Sequence, residues 1–461
     1  MKIIIFGAGR VGTQLAKRLI SDENEVVLLE RDPSVAKRAS SQLDCLVINE
    51  QGNNRESLEN AGLRTADYFV SLTGSDELNI IACGLAKSEY PKILTIARIR
   101  NLEYSSSKLF DNPLLGIDYM INPEIEVAEV ITMALKKGVM GNILNFPNTD
   151  IEVRTFLAGE SFRHLGKTLS QLREDLGQDF LIPVIDRGSN YLIPSGETPI
   201  LEGDHLYVMA RQEIFPSLFP EKRNVNSFQK VLIVGGGRVG QHVANNLIDR
   251  SEKGFFRKLY KKLQGKGAPK IDFIEMDYQR CKELTEQYPN SSVVHADISD
   301  DGILDQGSFG EPDLMLTVTG NQELNMIAAM YGKRRGIARA VTLVQKSSYE
   351  GVARDLGIDM AYSTNSTMVN RIFSIIRQES VRSVHAISGG ALELIEFEVV
   401  SESAIKGKLI KDLKLPEQSL VLLVLRDGEG IFPAASTTIL EGDRTIMLCP
   451  SQNLKKMEEL F

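Results

Sequence analysis

Apolar residues arrive first as an unbroken run, "KIIIF", and then, past the glycine-rich "GAGRVG", at helical spacing in "VGTQLAKRLIS" before a second unbroken run, "EVVLLE". Short apolar runs rich in β-branched residues predict buried strands, and apolar positions recurring at helical period predict a helix between them. The alternation continues through "DCLVIN", "DYFVSLT" and "KILTIARI", with "RESLENAG" and "ELNIIACGLAKSE" as helical stretches. Five alternating βα units predict a doubly wound parallel sheet of Rossmann type, because parallel neighbours need a crossover that a helix supplies.

Beyond residue 230 the series is replayed in "KVLIVGGGRVG", "IDFIEMD", "SSVVHADIS", "DLMLTVTGNQELNMIAAMYGKR" and "ARAVTLVQKSSY". The duplication is plainest where "LTGSDELNIIACGLAK" meets "VTGNQELNMIAAMYGK". A second kind of module also repeats: "IPSGETPILEGDHLYVMA" pairs with "FPAASTTILEGDRTIMLC", and Gly203-Asp204 and Gly442-Asp443 read as turns between short strands. The predicted fold class is α/β, two tandem doubly wound parallel-sheet Rossmann domains, each followed by a small α+β module. Residues 1–120 and 228–360 are the Rossmann domains, 149–222 and 391–461 the small modules, and 121–148 and 361–390 crossover helices around "EIEVAEVITMAL" and "NSTMVNRIFSIIRQES". The polar "PEKRNVNSFQ" joins the halves.

One insertion breaks the symmetry. Gly12 and Glu30 are 18 positions apart, whereas Gly240 and Glu275 are 35 apart, because the second half carries "RSEKGFFRKLYKKLQGKGAPK", a basic insertion at 250–270. As a helix it would set Phe256, Tyr260 and Leu263 along one side, which suits either a solvated loop-helix or a surface docking on acidic lipid headgroups or a membrane partner.

Composition narrows the function. The 461 residues exceed one ordinary core, and 43% apolar with 25% charged residues is an average globular balance. A net charge of −8 argues against a nucleic-acid partner held by phosphate neutralisation. Cys45, Cys83, Cys281 and Cys449 are scattered without metal or disulfide spacing, which fits a reducing cytosol. There is no secretory leader pattern, and no apolar run approaches the roughly 18 residues that span a bilayer, so any membrane role is peripheral. The histidines His164, His205, His242, His295 and His385 show neither metal spacing nor a nucleophilic triad and read as structural.

Candidate chemistry concentrates at the two glycine turns, Gly7-Ala8-Gly9-Arg10-Val11-Gly12 and Gly235-Gly236-Gly237-Arg238-Val239-Gly240. A GxGxxG alone is weak, but each here follows a strand, opens a helix and is succeeded by an acid at the end of the next strand, Glu30 or Glu275. In such a unit the first glycine makes the tight turn, the second lets backbone approach a pyrophosphate, the third lets helix pack on strand, and the helix N-terminus supplies amides. The acids would accept hydrogen bonds from an adenosine ribose and disfavour a 2′-phosphate, or else be solvated strand-end carboxylates. Arg10 and Arg238 could fork onto phosphate oxygens, or equally be surface arginines.

"IFGAGRVG", "LTGSDELN" and "IARIRN", followed by the GD-containing module and the whole arrangement again, resemble the TrkA family over essentially the full chain. These are tandem RCK (regulator of K⁺ conductance) proteins, cytosolic nucleotide-binding subunits of Trk-type potassium uptake systems. The resemblance implies that an adenine nucleotide, NAD(H), ATP or ADP, is surrounded in the first half by Gly7, Gly9, Gly12, Glu30, Thr73, Gly74, Asp76, Glu77, Asn79, Arg98 and Arg100. In the second half it implies Gly235, Gly237, Gly240, Glu275, Thr319, Gly320, Glu323 and Asn325. It further implies a regulatory protein without catalysis, cytoplasmic and peripheral to the inner face of the cell membrane. Its partners would be a Trk-type integral membrane potassium channel subunit and copies of itself, a homo-oligomer and by resemblance a tetramer.

The halves depart from the pattern in opposite ways. An aspartate implied to meet adenine is present in the second half as Asp297, in "ADIS", while the first half has Gln51 there, whose amide can still pair with an adenine edge. Conversely, Arg98 and Arg100 align with Leu343 and Gln345, so the first site is expected to sense polyphosphate. The rival function is an NAD-dependent dehydrogenase, which needs a substrate domain and a proton-transferring group. Roughly 70 residues after each Rossmann unit leave little room for one.

Overall fold

Ile3, Ile4 and Ile5 are wholly buried because their strand lies in the middle of a parallel sheet with helices over both faces. In this computed structural model the described residues are 1–105, 115–137, 143–146, 149–159, 162–177, 179–188, 190–218, 228–248, 269–300, 302–303, 310–377, 383–387 and 391–461. The basic insertion, apart from its final residues, and most of the polar linker between the halves lie outside them.

The first sheet comprises β1 (Lys2–Phe6), β2 (Glu25–Leu29), β3 (Leu46–Ile48), β4 (Tyr68–Ser71), β5 (Leu94–Arg98) and β6 (Tyr119–Ile121), in the order β3-β2-β1-β4-β5-β6. All its pairings are parallel, with Ile4 opposite both Val27 and Phe69. This order reverses direction between β1 and β4, the place where doubly wound sheets bind ligands at the carboxyl ends of their strands.

A small antiparallel sheet follows, β7 (Ile143–Asn145), β8 (Ile151–Leu157), β9 (Phe180–Arg187), β10 (Asn190–Leu192) and β11 (His205–Arg211), ordered β10-β9-β11-β8-β7. The second six-stranded sheet repeats the first: β12 (Lys230–Val234), β13 (Lys270–Glu275), β14 (Val293–His295), β15 (Leu314–Thr317), β16 (Arg339–Val344) and β17 (Met360–Ser363), ordered β14-β13-β12-β15-β16-β17. The last sheet comprises β18 (Ser383–Ile387), β19 (Leu392–Glu398), β20 (Leu420–Arg426), β21 (Glu429–Ile431) and β22 (Arg444–Pro450), ordered β18-β19-β22-β20-β21.

Two expectations are corrected. Each Rossmann sheet has six strands rather than five, because β6 and β17 are short runs that abut the helices Pro123–Lys137 and Thr364–Arg377, so their apolar residues merge into the helical pattern. Those helices are also shorter than the crossovers expected at 121–148 and 361–390: β7 and β18 follow them and join the antiparallel sheets as edge strands.

The chain divides into two compact units, one holding Met1–Glu129, Leu343–Val352 and Tyr362–Ile376, the other Val130–Thr342, Ala353–Ala361 and Arg377–Phe461. Within the first unit, the helix Thr364–Arg377 lies on the helix Arg10–Ser21 that leaves the first glycine turn. The Arg18 guanidinium stands 3.9 Å over the Phe373 ring and donates to Asn370 Oδ1 at 2.5 Å, and Gln14 Nε2 donates to Ser366 Oγ at 3.4 Å. Within the second unit the two antiparallel sheets share one core, Leu144, Val153 and Met209 packing with Leu394, Leu423 and Leu448.

The duplicated Gly-Asp turns carry a side-chain lock that the sequence did not announce. Gly203 and Gly442 both hold φ +85°, which favours glycine. Asp204 and Asp443, essentially unexposed, each accept a two-pronged bond from an arginine of the neighbouring strand: Arg187 at 2.8 and 2.8 Å, Arg426 at 2.8 and 2.7 Å. The same carboxylates accept the amides of Leu201 and Leu440, so a buried charge is both paired and hydrogen-bonded.

Candidate functional site

The glycine turns have three distinct roles in three dimensions. Gly7 and Gly235 hold φ +106° and +102°, and a Cβ there would press on the Leu72–Thr73 or Val318–Thr319 backbone. Gly12 and Gly240 are where the helix meets the turn, a Cβ landing 1.9 or 2.3 Å from the carbonyl oxygen of Gly7 or Gly235. Gly9 and Gly237 differ, because a Cβ at either meets nothing within 4 Å. No packing among the described residues requires glycine there, which leaves room for an approaching ligand. Gly9 also precedes the helix Arg10–Ser21 without a side-chain cap. An uncapped helix start leaves orphan amides and a partial positive charge, a natural seat for phosphate.

The turns differ at their second residue for a local reason. A Cβ on Gly236 would stand 2.3 Å from Leu284 Cδ1, whereas the first half has Ala8 there and the smaller Ala39 at the position matching Leu284. Val11 and Val239 bury their side chains beneath the turns and can meet a ligand through backbone alone.

Glu30 and Glu275 tie these turns down. Glu30 accepts the Ala8 amide at 2.8 Å and the Asp32 amide at 2.9 Å; Glu275 accepts Gly236 at 2.7 Å and Asp277 at 2.9 Å. Each oxygen keeps a lone pair beyond these bonds, so a structural role and acceptance from ribose are compatible.

Asn79 and Asn325, expected around a ligand, are buried and turn their side chains into the protein. Asn79 is fully buried: Oδ1 accepts from Ser71 Oγ, the Thr73 amide and Thr73 Oγ1 at 2.9, 2.9 and 2.7 Å, and Nδ2 donates to the Arg98 carbonyl at 2.7 Å. Asn325 repeats the clamp on the Thr319 amide and hydroxyl at 2.9 and 2.6 Å. These asparagines hold the Thr73–Gly74 and Thr319–Gly320 loops, their amide capacity being spent inside the protein. Asp76 also supports, accepting the amides of Arg100 and Asn101 at 2.9 and 2.7 Å. Glu77 accepts from Ser75 Oγ at 2.7 Å and Tyr104 at 3.2 Å, the Ser75 bond first holding its carboxyl below its ordinary value, and Glu323 accepts from Gln322 at 2.9 Å. Gly74 and Gly320 are exposed at the loop crests.

The arginines carry the asymmetry. Arg98 ends β5 with its guanidinium largely buried, and its Nε has no hydrogen-bond partner among the described residues. Burial, and then the neighbouring Arg100 charge, push its pKa down to about 10 despite Asp76 and Glu124. A buried cation with an orphan donor is costly and calls for an anion. Arg100 is exposed and stands 3.8 Å from Glu124 Oε1, and its carbonyl accepts Asn122 Nδ2 at 3.1 Å. Arg10 is exposed and donates from Nη1 to Gln345 Oε1 at 3.0 Å.

Gln51 is exposed at the end of its turn, with its carbonyl accepting Asn54 Nδ2. Asp297 accepts the Ser299 amide at 2.9 Å and hydroxyl at 2.8 Å, bonds that hold its carboxyl below its ordinary value. No sequence pattern singles out Met276 and Tyr278, 69% and 60% exposed directly after Glu275, with the Tyr278 ring 5.4 Å from that of His295. Among the described residues no three His, Cys, Asp or Glu side chains gather as a metal set, and no helix is long and apolar enough to cross a membrane.

Duplicated glycine turns in duplicated Rossmann sheets, each followed by an antiparallel module, agree with the known families that match. The TrkA-N domain matches residues 3–123 and 254–364, and the TrkA-C domain residues 163–220 and 394–461, together most of the chain. The chain belongs to the TrkA family. The second TrkA-N match begins past Gly235–Gly240, so that turn rests on its own geometry. Among TrkA relatives, Trk system potassium uptake protein TrkA homolog 1 of Methanosarcina mazei is 30% identical over 100% of both chains. Trk system potassium uptake protein TrkA of Haemophilus influenzae is 30% identical, covering 100% of this chain and 98% of its own. The fold is that of the GsuK RCK domain, at TM-score 0.58 and 17% identity over 100% of this chain and 94% of that one. The GsuK channel bound to NAD also shares it, at TM-score 0.58 and 16% identity over 100% and 78%.

Proposed function

We propose that this chain is a cytosolic regulatory subunit that binds adenine nucleotides at two unlike glycine-turn sites and gates a Trk-type membrane potassium transporter. The observation that carries the reading is the pair of second glycines, Gly9 and Gly237. Each lies at a helix start where the protein leaves open the space a side chain would fill. Full-length likeness to TrkA proteins of potassium uptake systems supplies the partner class, a Trk-type integral membrane subunit. The GsuK channel, solved with NAD, names one occupant to test.

The first site reads phosphate, because Arg98 brings an unsatisfied guanidinium to it; its occupants are ATP and ADP. The second has Leu343 there and instead presents Asp297 with Met276 and Tyr278 beside the ribose acid, a surface suited to a purine, and takes NAD(H) or ADP through the adenosine they share. A ligand moves a two-state protein only through different affinities for the two states, and triphosphate against diphosphate at an arginine-lined site supplies such a difference. The subunit acts as a homo-oligomeric ring, a tetramer, at the inner face of the membrane.

The test is potassium flux through the partner transporter in proteoliposomes, with ATP, ADP, NAD or NADH added beside the purified chain. Flux that depends on which nucleotide is present, with the nucleotide recovered unchanged, supports the reading. Flux indifferent to all four, or steady nucleotide consumption, overturns it.

A further inference from the structure

We propose that Gln345, from the second half of the chain, is a positioning residue of the first glycine-turn site. Gln345 follows β16 at the place where the first half carries Arg100, and its Oε1 accepts from Arg10 Nη1 at 3.0 Å. Arg10 is the first residue of the helix that opens at Gly9, so its guanidinium belongs beside any phosphate seated there. The bond to Gln345 engages one of the five guanidinium donors and leaves the rest for phosphate oxygens. A neutral amide is the chemistry this task requires. It orients the arginine without cancelling its charge, whereas a carboxylate would cancel it and an arginine would repel it.

The second half's loss of an arginine at this position thereby acquires a purpose in the other half's site. Gln345 is itself held: its carbonyl accepts Ser363 Oγ at 2.9 Å, and the Ser363 amide donates to Glu350 Oε1 at 2.8 Å. Ser363 immediately precedes the helix Thr364–Arg377, which contacts Gln14 and Arg18 farther along the helix from the glycine turn. Phosphate drawn to Arg10 therefore pulls on a contact fixed to the root of that helix. Leaving Arg10 on Gln345 keeps the arginine in place, and the phosphate-count preference of the first site depends on both residues.

This inference rests on the first turn being a nucleotide site, and the experiment separates the two. The full chain is titrated calorimetrically with ATP, ADP and AMP as wild type, Gln345→Ala, Gln345→Glu, Arg10→Ala and the Arg10→Ala/Gln345→Ala pair, each checked for unchanged thermal unfolding. Loss of this exposed bond from a charged donor to a neutral acceptor predicts a roughly three- to tenfold weaker ATP affinity in Gln345→Ala, with AMP, which brings less phosphate charge to Arg10, weakened less. Gln345→Glu, pairing the charge, weakens ATP more than Gln345→Ala does. In the Arg10→Ala background Gln345→Ala has no further effect, because its action runs through Arg10. Equal losses for ATP and AMP, no loss, or full additivity with Arg10→Ala overturns the inference while leaving nucleotide binding intact. A wild-type chain that binds no nucleotide overturns both readings.

Discussion

Replacing Arg98 by Leu, the residue the second half has in its place, should stabilise the ligand-free protein and weaken the first site's response to phosphate. The guanidinium is pushed well below the ordinary arginine range, down to about 10, chiefly by burial. At roughly 1.4 kcal/mol for each tenfold change in protonation equilibrium, the cost of holding that cation in the fold is on the order of 3 kcal/mol. The folded value is the lower one, so from about pH 10 up to the ordinary arginine value the unfolded chain keeps a proton that the folded chain has released. Stability therefore rises with pH across that window, and at pH 7 the cost is carried in full. Leucine removes it and adds apolar burial, as buried charges exchanged for hydrophobic residues often do, for a gain of roughly 1–3 kcal/mol. The assay is thermal unfolding followed with and without ATP. The first transition should rise by roughly 3 °C or more without ligand, while ATP stabilisation shrinks by the roughly 1.5–3 kcal/mol of a charge-assisted bond. A lower unfolding temperature with an undiminished ATP effect would refute the idea that Arg98 is strained in waiting for an anion.

Three other perturbations have definite outcomes. Asp204→Ala or Asp443→Ala leaves a half-buried arginine without its two-pronged partner and should cost roughly 3 kcal/mol or more in urea unfolding of the antiparallel sheets. A cost below about 1 kcal/mol would show that the lock is decorative. His164 and His205 are both held below their ordinary 6.5, first by burial and then by nearby cations, Lys167 and Arg163 for His164 and Arg354 for His205, against the opposing Asp175 or Asp186 and Asp204. Below pH 6.5 the unfolded chain therefore takes up protons that the folded chain refuses, so stability of this module falls as pH drops from 7 to 5. His164→Gln/His205→Gln should flatten that fall, and an unaltered pH profile would count against it. Gly12→Ala, forcing a methyl to 1.9 Å from the Gly7 oxygen, should prevent soluble expression or lower the melting temperature by many degrees.

Much of this was legible in the chain itself. The duplicated order of sheets, the glycine turns and the strand-end acids Glu30 and Glu275 follow from local patterns, a strand run, a helical period and a residue at fixed offset, and such patterns need no knowledge of distant contacts. What stayed hidden was long-range or masked by a neighbour. β6 and β17 disappear into the helices they precede. Arg187 and Arg426 carry no mark in sequence of the aspartates they grip, 17 residues on. Asn79 reads as a ligand residue because it stands in a loop motif, yet a helix's first turn can face inward as readily as outward, and here it faces the loop backbone. Gln345 looked only like a lost arginine, since its contact lies 335 residues away.

The central claim is that two separate glycine turns bind two nucleotides, and Gly9→Ala and Gly237→Ala test it most directly because, among the described residues, a methyl at either position meets nothing beyond its chain neighbours within 4 Å. Calorimetric titration of wild type, each single variant and the double variant should give two, one, one and zero equivalents of nucleotide per chain, with unchanged melting temperatures without ligand. Full stoichiometry in the double variant would contradict the account.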